Sequence, residues 1–224
     1  MKKLLLGLLL ISSVLSFGAT QRVGIEKLVT NESRDTLYLE ETKKPYSGEV
    51  ERKYPDGKLL GIATVKDGKF NGKSYEYYEN GKLKIEENYV NGKSEGVSKV
   101  FYPNGKVKYE TPYKNDKKEG VEKFYSENGI LMSEIPFKND VVIGVAKVYN
   151  AQTGKLEYEE NLVNGKRNGL SKKYYPSGKV LNEVNFKDDK EEGIMRVYYE
   201  TGKLEGEIPY KNGQVDGVVK AYDE

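Results

Sequence analysis

Apolar and polar residues alternate along this chain in short runs that glycine interrupts at fixed intervals. From Gly48 onward one phrase recurs. A glycine comes first, an aromatic five residues later, then Y-x-x-G-K-[LV], a lone Glu and a second turn pair. The opening glycines are Gly48, Gly72, Gly96, Gly120, Gly144, Gly169, Gly193 and Gly217, spaced 24, 24, 24, 24, 25, 24 and 24 residues. No stretch of the array shows helical periodicity, whereas period-two runs bounded by turn residues read as strands. A fixed period of this length describes an array whose units are stable only because their neighbours cover them. The expected fold is therefore all-β, an elongated single-layer antiparallel β-sheet made of tandem 24-residue β-hairpin repeats.

With the opening glycine as position zero, the columns are regular. Position five holds Tyr77, Phe101, Tyr125, Tyr149, Tyr174, Tyr198 and Tyr222. Position six holds Tyr54, Tyr78, Tyr102, Tyr175 and Tyr199, with Ser126, Asn150 and Asp223 departing. Position eleven is aliphatic throughout, and position seventeen includes Tyr89, Tyr113, Phe186 and Tyr210. Positions five, six and seventeen together account for 14 of the 19 tyrosines, so the aromatics are architecture first. The fifth unit carries one extra residue in Asn150–Gly154.

Asp56-Gly57, Asn80-Gly81, Asn104-Gly105 and Asn128-Gly129 mark the first turn of a unit. Asp67-Gly68, Asn91-Gly92, Asn164-Gly165 and Asn212-Gly213 mark the second. Such pairs favour type I′ hairpins because both residues tolerate positive φ. If the first pair fills the two central places, position three faces position fourteen. Lys99 then meets Glu110, Lys123 meets Glu134, Lys147 meets Glu159, Lys172 meets Glu183 and Arg196 meets Glu207. Each pair is worth only about 0.2–1 kcal/mol, but together they specify register. The same register assigns positions two, four, six, eleven, thirteen, fifteen and seventeen to the more apolar face. The charge ladder and the position-five aromatics take the other. Pro112, Pro136 and Pro209 share position sixteen, where the missing donor must sit beside a bulge or at a strand end.

The flanks differ. Residues 1–19 combine Lys2 and Lys3 with an apolar run from Leu4 to Leu15 and a small-x-small Ser16-Phe17-Gly18, and read as a cleaved secretory signal. The alternative, a short membrane anchor, falls short of the roughly 20 apolar residues that span a bilayer. No stable membrane insertion is then expected after cleavage, and the mature chain is placed outside the cytoplasm, periplasmic or secreted. Without Cys at the cleavage site, lipid anchoring is excluded. Residues 20–47 form a lead-in in which Leu37-Tyr38-Leu39 and Pro45-Tyr46-Ser47 look like a capping hairpin. The array then occupies 48–224 as seven units and a partial eighth.

Composition narrows the chemistry. Removing Lys2 and Lys3 leaves 35 basic and 35 acidic side chains, with no basic block to serve nucleic acid. The chain has no His and no Cys, which removes His-based triads, the commonest zinc sites and disulfide staples. The glutamates at position fourteen repeat in near-identical surroundings, whereas an acid–base pair needs two unlike ones. Asn115-Asp116-Lys117-Lys118-Glu119 and Asp188-Asp189-Lys190-Glu191-Glu192 lack a regular oxygen-ligand spacing for calcium and read as solvated turns. The glycine-rich turns precede no helix and are not phosphate loops. No catalytic residue, metal or cofactor is expected.

The motifs Tyr78-Glu79-Asn80-Gly81-Lys82-Leu83, Tyr102-Pro103-Asn104-Gly105-Lys106-Val107 and Tyr175-Pro176-Ser177-Gly178-Lys179-Val180 closely resemble the bacterial variant of the MORN repeat (membrane occupation and recognition nexus). The resemblance covers about residues 48–224. It implies an elongated antiparallel sheet that acts as a scaffold. Families built from this repeat include the toxin–antitoxin YwqK-like antitoxins and exported proteins; the leader sets this chain apart from a cytosolic antitoxin. Three readings follow: an exported non-catalytic scaffold that binds a protein partner, an immunity-like antitoxin of the same kind, or a glycan or cell-envelope binder using its rows of Tyr. The partner surface is expected on the ladder face, at Phe101, Tyr125, Tyr149, Tyr174 and Tyr198 with Lys99, Lys123, Lys147, Lys172 and Arg196.

Overall fold

A computed structural model describes residues 21–224, and the leader lies outside the described residues. Twenty strands join one long open sheet, and two more form a separate small ribbon. Successive hairpins lie side by side in chain order and pair antiparallel. The exception is Arg22–Gly24, which runs parallel to Gly48–Lys53 with Arg22 opposite Glu49. The sheet is therefore mixed at its first edge and antiparallel along the repeats.

The unit opening at Gly96 shows how the phrase folds. Gly96–Phe101 and Val107–Lys114 form the hairpin, and Lys117–Lys118 begins the return towards Gly120–Tyr125. In the strand bodies position three faces position fourteen in all five expected pairs. Each glutamate also faces the cation of the following unit, as Glu110 faces Lys123 and Glu183 faces Arg196. The five pairs are thus parts of one unbroken row in which charges alternate from Glu86 to Lys220; in the first two units the same places hold Glu51, Ile62 and Tyr75.

The two turns differ in kind. At the second, Asn91-Gly92 has φ of 50° and 84° and joins the adjacent partners Val90 and Lys93, a two-residue type I′ turn. Asn115-Asp116 and Asp188-Asp189 adopt the same conformation without glycine, so the acidic loops are turns of the same kind. The first turn departs from the expectation of type I′. Asn104 keeps negative φ, only Gly105 is left-handed (φ 92°), and Tyr102 N–H donates to the Lys106 carbonyl at 2.8 Å. This is a three-residue loop, a type I turn followed by a left-handed residue, which suits Pro103 at the first central place. Phe101 then pairs with Val107 and Val100 with Tyr109, leaving Lys108 as an extra residue that restores the register. One consequence corrects the face assignment. Position eleven stands opposite position five (Val107 with Phe101, Leu156 with Tyr149, Val180 with Tyr174) and joins the ladder face instead of the apolar one.

The opening glycine is a bulge residue. Between the pairs Tyr89–Ser94 and Glu86–Lys99 the returning strand carries two extra residues, and Gly96 there has φ 85°. The prolines of position sixteen sit against these bulges. The Pro112 carbonyl accepts from Glu119 N–H at 3.0 Å, beside Gly120, so no ladder donor is wasted.

Burial is confined to one face. Val50, Val65, Ala146, Val184 and Phe186 are buried, with Thr111 and Ser171, and all stand at positions two, fifteen or seventeen. The densest cluster is at the start of the array, where Val23, Tyr46, Val50 and Val65 meet Leu28, Leu37, Leu39 and Phe70. There Leu37–Leu39 pairs with Leu28–Thr30, and Tyr38 makes a single bridge to Pro45, so the lead-in is a ribbon laid on the array more than a hairpin of its own. No helix among the described residues is long and apolar enough to cross a membrane.

Candidate functional site

The ten residues expected to meet a partner lie together on one face. Lys99 Nζ stands 3.0 Å from Glu110, Arg196 Nε 3.6 Å from Glu207, and Lys147 Nζ 3.7 Å from Glu159; the Lys123–Glu134 and Lys172–Glu183 distances are 3.9 Å. These are partly exposed pairs, so each contributes little to stability on its own.

The aromatics add a connection that the spacing alone does not reveal. From Tyr125 onward each position-five tyrosine donates its hydroxyl to the glutamate 15 residues earlier, in the preceding unit, whereas Tyr77 has Ile62 at that place. Tyr125 reaches Glu110 at 3.1 Å, Tyr149 reaches Glu134 at 2.8 Å, Tyr174 reaches Glu159 at 2.7 Å and Tyr198 reaches Glu183 at 2.8 Å. Phe101 has no hydroxyl to give. Each carboxylate is thus held between cations on both flanking strands and a phenol. The ammonium of Lys99 foremost, and the Tyr125 hydroxyl after it, hold the Glu110 carboxyl below its ordinary range against the opposing effect of burial.

The phenols respond in the opposite direction. Burial first, and then the adjacent Glu134 carboxylate, push Tyr149 up to about 12 from its ordinary value of about 10. Tyr125, Tyr174 and Tyr198 are raised from the same causes. A raised value favours the protonated phenol in the folded sheet. Its stabilising effect is complete below pH about 10 and is lost as pH rises towards about 12. Ultraviolet titration should show Tyr149 ionising near pH 12, and Tyr149→Phe should remove that step. Ionisation of Tyr149 near pH 10 would mean that neither its burial nor the Tyr149–Glu134 bond persists in solution.

Beside the charge row runs a strip of apolar residues that the sequence reading passed over. Val97, Val121, Val145 and Ile194, all at position one, are 46, 44, 43 and 43 % exposed. They pair with Pro112, Pro136, Asn161 and Pro209, so valines and prolines alternate along much of the row. Strand parity placed position one on this face, and that was the signal available. The candidate surface is therefore three parallel rows: apolar, charged and aromatic.

Both turn ends of the hairpins are stitched to their neighbours. The position-six tyrosines donate to the position-five carbonyl of the next unit: Tyr54 to Tyr77, Tyr78 to Phe101, Tyr102 to Tyr125, Tyr175 to Tyr198 and Tyr199 to Tyr222, at 2.6–2.8 Å. At the other end Gly92 N–H donates to the Phe70 carbonyl and Asp116 N–H to the Ser94 carbonyl. Where an aspartate replaces glycine, its carboxylate accepts a further backbone N–H, as Asp116 does from Ser94 at 2.7 Å. These carboxylates are therefore engaged with backbone, and no group of three or more acidic side chains able to hold a metal ion occurs among the described residues.

No curated protein matches the chain. A family profile does, that of the MORN repeat variant, at residues 46–67, 70–91, 94–115, 118–139, 167–188 and 191–212. Those stretches cover more than half of the sequence and coincide with hairpins in register. Repeats of this family are generally non-catalytic modules. The chain belongs to the MORN repeat variant family.

Proposed function

We propose that this protein is an exported, non-catalytic scaffold that binds a protein partner along the ladder face. The observation that carries the reading is the row of half-exposed Val97, Val121, Val145 and Ile194 beside the charge row. Apolar side chains left in water next to fixed, oriented charges suit a protein surface, which can cover the first and match the second. A glycan platform fits less well, because the phenol hydroxyls of both tyrosine columns are already given to glutamates and carbonyls within the sheet. The leader expected from the sequence places the encounter outside the cytoplasm. An immunity-like role is this same reading with a toxin as the partner.

The test uses side chains that contribute little to the fold. Val121→Ser combined with Val145→Ser should leave the melting temperature within a few degrees and weaken capture of the partner from envelope extract by about tenfold or more. Capture that survives protease treatment of the extract would transfer the function to the glycan reading. Capture by the double variant at full strength would move the partner off this face.

A further inference from the structure

The stitch between turn ends is missing in two consecutive units, the fourth, where Ser126 stands at position six, and the fifth, which alone also has a longer turn. Position six is Asn150 there, not tyrosine, and the turn is one residue longer. The Asn150 side chain is used locally. Its Oδ1 accepts from Gln152 N–H at 3.0 Å and Thr153 N–H at 2.9 Å, and its Nδ2 donates to Glu157 at 2.8 Å. Asparagine is what the longer turn needs, and it cannot also reach the next unit. The Tyr174 carbonyl, like the Tyr149 carbonyl one unit earlier, consequently lacks the phenol donor that the equivalent carbonyls of Tyr77, Phe101, Tyr125, Tyr198 and Tyr222 each receive.

The space a tyrosine ring would fill at this place is open. A groove of about 380 Å³ lies there, walled by Asn150, Glu157, Tyr158, Lys173, Tyr175 and Leu181, with Tyr174 in its lining. That volume is within the range of sites that hold small organic groups, about 300–1,000 Å³. In the intact unit opening at Gly96 the same neighbourhood holds the Tyr102 ring, with the Lys108 ammonium 5.5 Å from its centroid. Tyr158 and Lys173 also line a neighbouring hollow of about 190 Å³, whose wall includes Ser171. Ser171 is buried, and its hydroxyl is without a hydrogen-bond partner among the described residues. An orphaned hydroxyl of this kind is destabilising until something pairs with it.

We propose that this groove binds a tyrosine residue of a partner polypeptide, its ring taking the place left by Asn150 and its hydroxyl donating to the Tyr174 carbonyl. The protein itself shows the fit five times, since its own tyrosines make that contact in the regular units. The neighbouring hollow with Ser171 favours a polypeptide over a free phenol, because a main chain carrying the tyrosine supplies polar groups beyond the ring. The site is on the face opposite the ladder and does not depend on the scaffold reading above.

The probe is N-acetyl-tyrosine amide, titrated into isotope-labelled protein and followed by backbone amide shifts. Shifts should concentrate at Asn150, Glu157, Tyr158, Lys173, Tyr174 and Tyr175, with a second set around Tyr149 beside Ser126, and N-acetyl-phenylalanine amide should bind about fivefold more weakly for want of the hydroxyl. Asn150→Tyr should abolish the shifts around Tyr174 by filling the groove from within. Tyr102→Ser should do the reverse and create a new responding set around Tyr125; this arm decides the matter by itself if Asn150→Tyr does not fold. The inference fails if the two amides bind alike, if the responses spread evenly along the array, or if Tyr102→Ser creates no new site. p-Cresol binding as tightly as the tyrosine amide would reassign the groove to free phenols and overturn the polypeptide part. Because the ladder-face residues are untouched in every variant, none of these outcomes bears on the scaffold reading.

Discussion

Replacing Gly120 with valine should lower the stability of the array by about 2–6 kcal/mol. The figure joins about 1–3 kcal/mol for holding a β-branched residue at φ 121° and about 1–3 kcal/mol for overpacking. The overpacking arises because a Cβ on Gly120 would meet Pro112 Cγ at 2.9 Å. Neither atom has an easy escape, since the proline ring is rigid and the bulge defines where the next strand begins. Gly105→Val is the matched control: its φ is 92°, but nothing lies within 4 Å of the added Cβ, so only the strain should appear. Urea midpoints for the two variants separate the contributions. Equal losses would show that the contact between bulge and proline has no energetic weight, and that the position-sixteen prolines are there for some other reason.

Tyr46→Ala should cost about 3–5 kcal/mol, the usual loss when a buried aromatic is truncated. Tyr46 is 3 % exposed, and its hydroxyl is shared between the carbonyls of Gln21 at 2.8 Å and Glu49 at 3.0 Å. It is the residue through which the lead-in grips the first hairpin. Tyr46→Phe keeps the ring and should lose only about 1 kcal/mol. In a one-dimensional array the damage should also be local. Hydrogen exchange of Tyr46→Ala should accelerate at Gly48–Val65 well before it accelerates beyond Gly169. Uniform acceleration along the chain would mean that the sheet melts as one cooperative block, and that treating the units as separable is mistaken.

The strand bodies were legible because two independent signals agreed on them. The parity of apolar positions and the Lys–Glu pairing both required Lys99 opposite Glu110, and that register is present. The first turn misled because Asn104-Gly105 signals a two-residue hairpin more loudly than Pro103 signals a type I turn. The extra residue at Lys108 then hides the difference everywhere except at position eleven. The bonds between units were out of reach for a different reason. Linking Tyr125 to Glu110, or Tyr102 to the Tyr125 carbonyl, requires the stagger between successive hairpins. That stagger depends on two bulge residues whose positive φ at the opening glycine only the backbone reveals. The apolar row at Val97, Val121 and Val145 was within reach of parity alone, and was overshadowed by the aromatic column beside it. The 25-residue spacing at the fifth unit was visible too, but spacing does not say that the added residue would claim Asn150 for its own turn.

The alternating row Lys99, Glu110, Lys123, Glu134, Lys147, Glu159 and onward to Lys220 repeats every two strands, about 10 Å. A surface with such a period behaves as a ruler with identical graduations. A partner carrying charges at the same pitch meets the same pattern again each time it is displaced by one unit, so the row holds it without saying where along the sheet it should stop. Position must be written where the graduations fail. The clearest such mark is the place where one tyrosine is missing and one residue has been added. The regularity of the array and the break in it around Asn150 thus carry different information, the first setting orientation and the second giving an address.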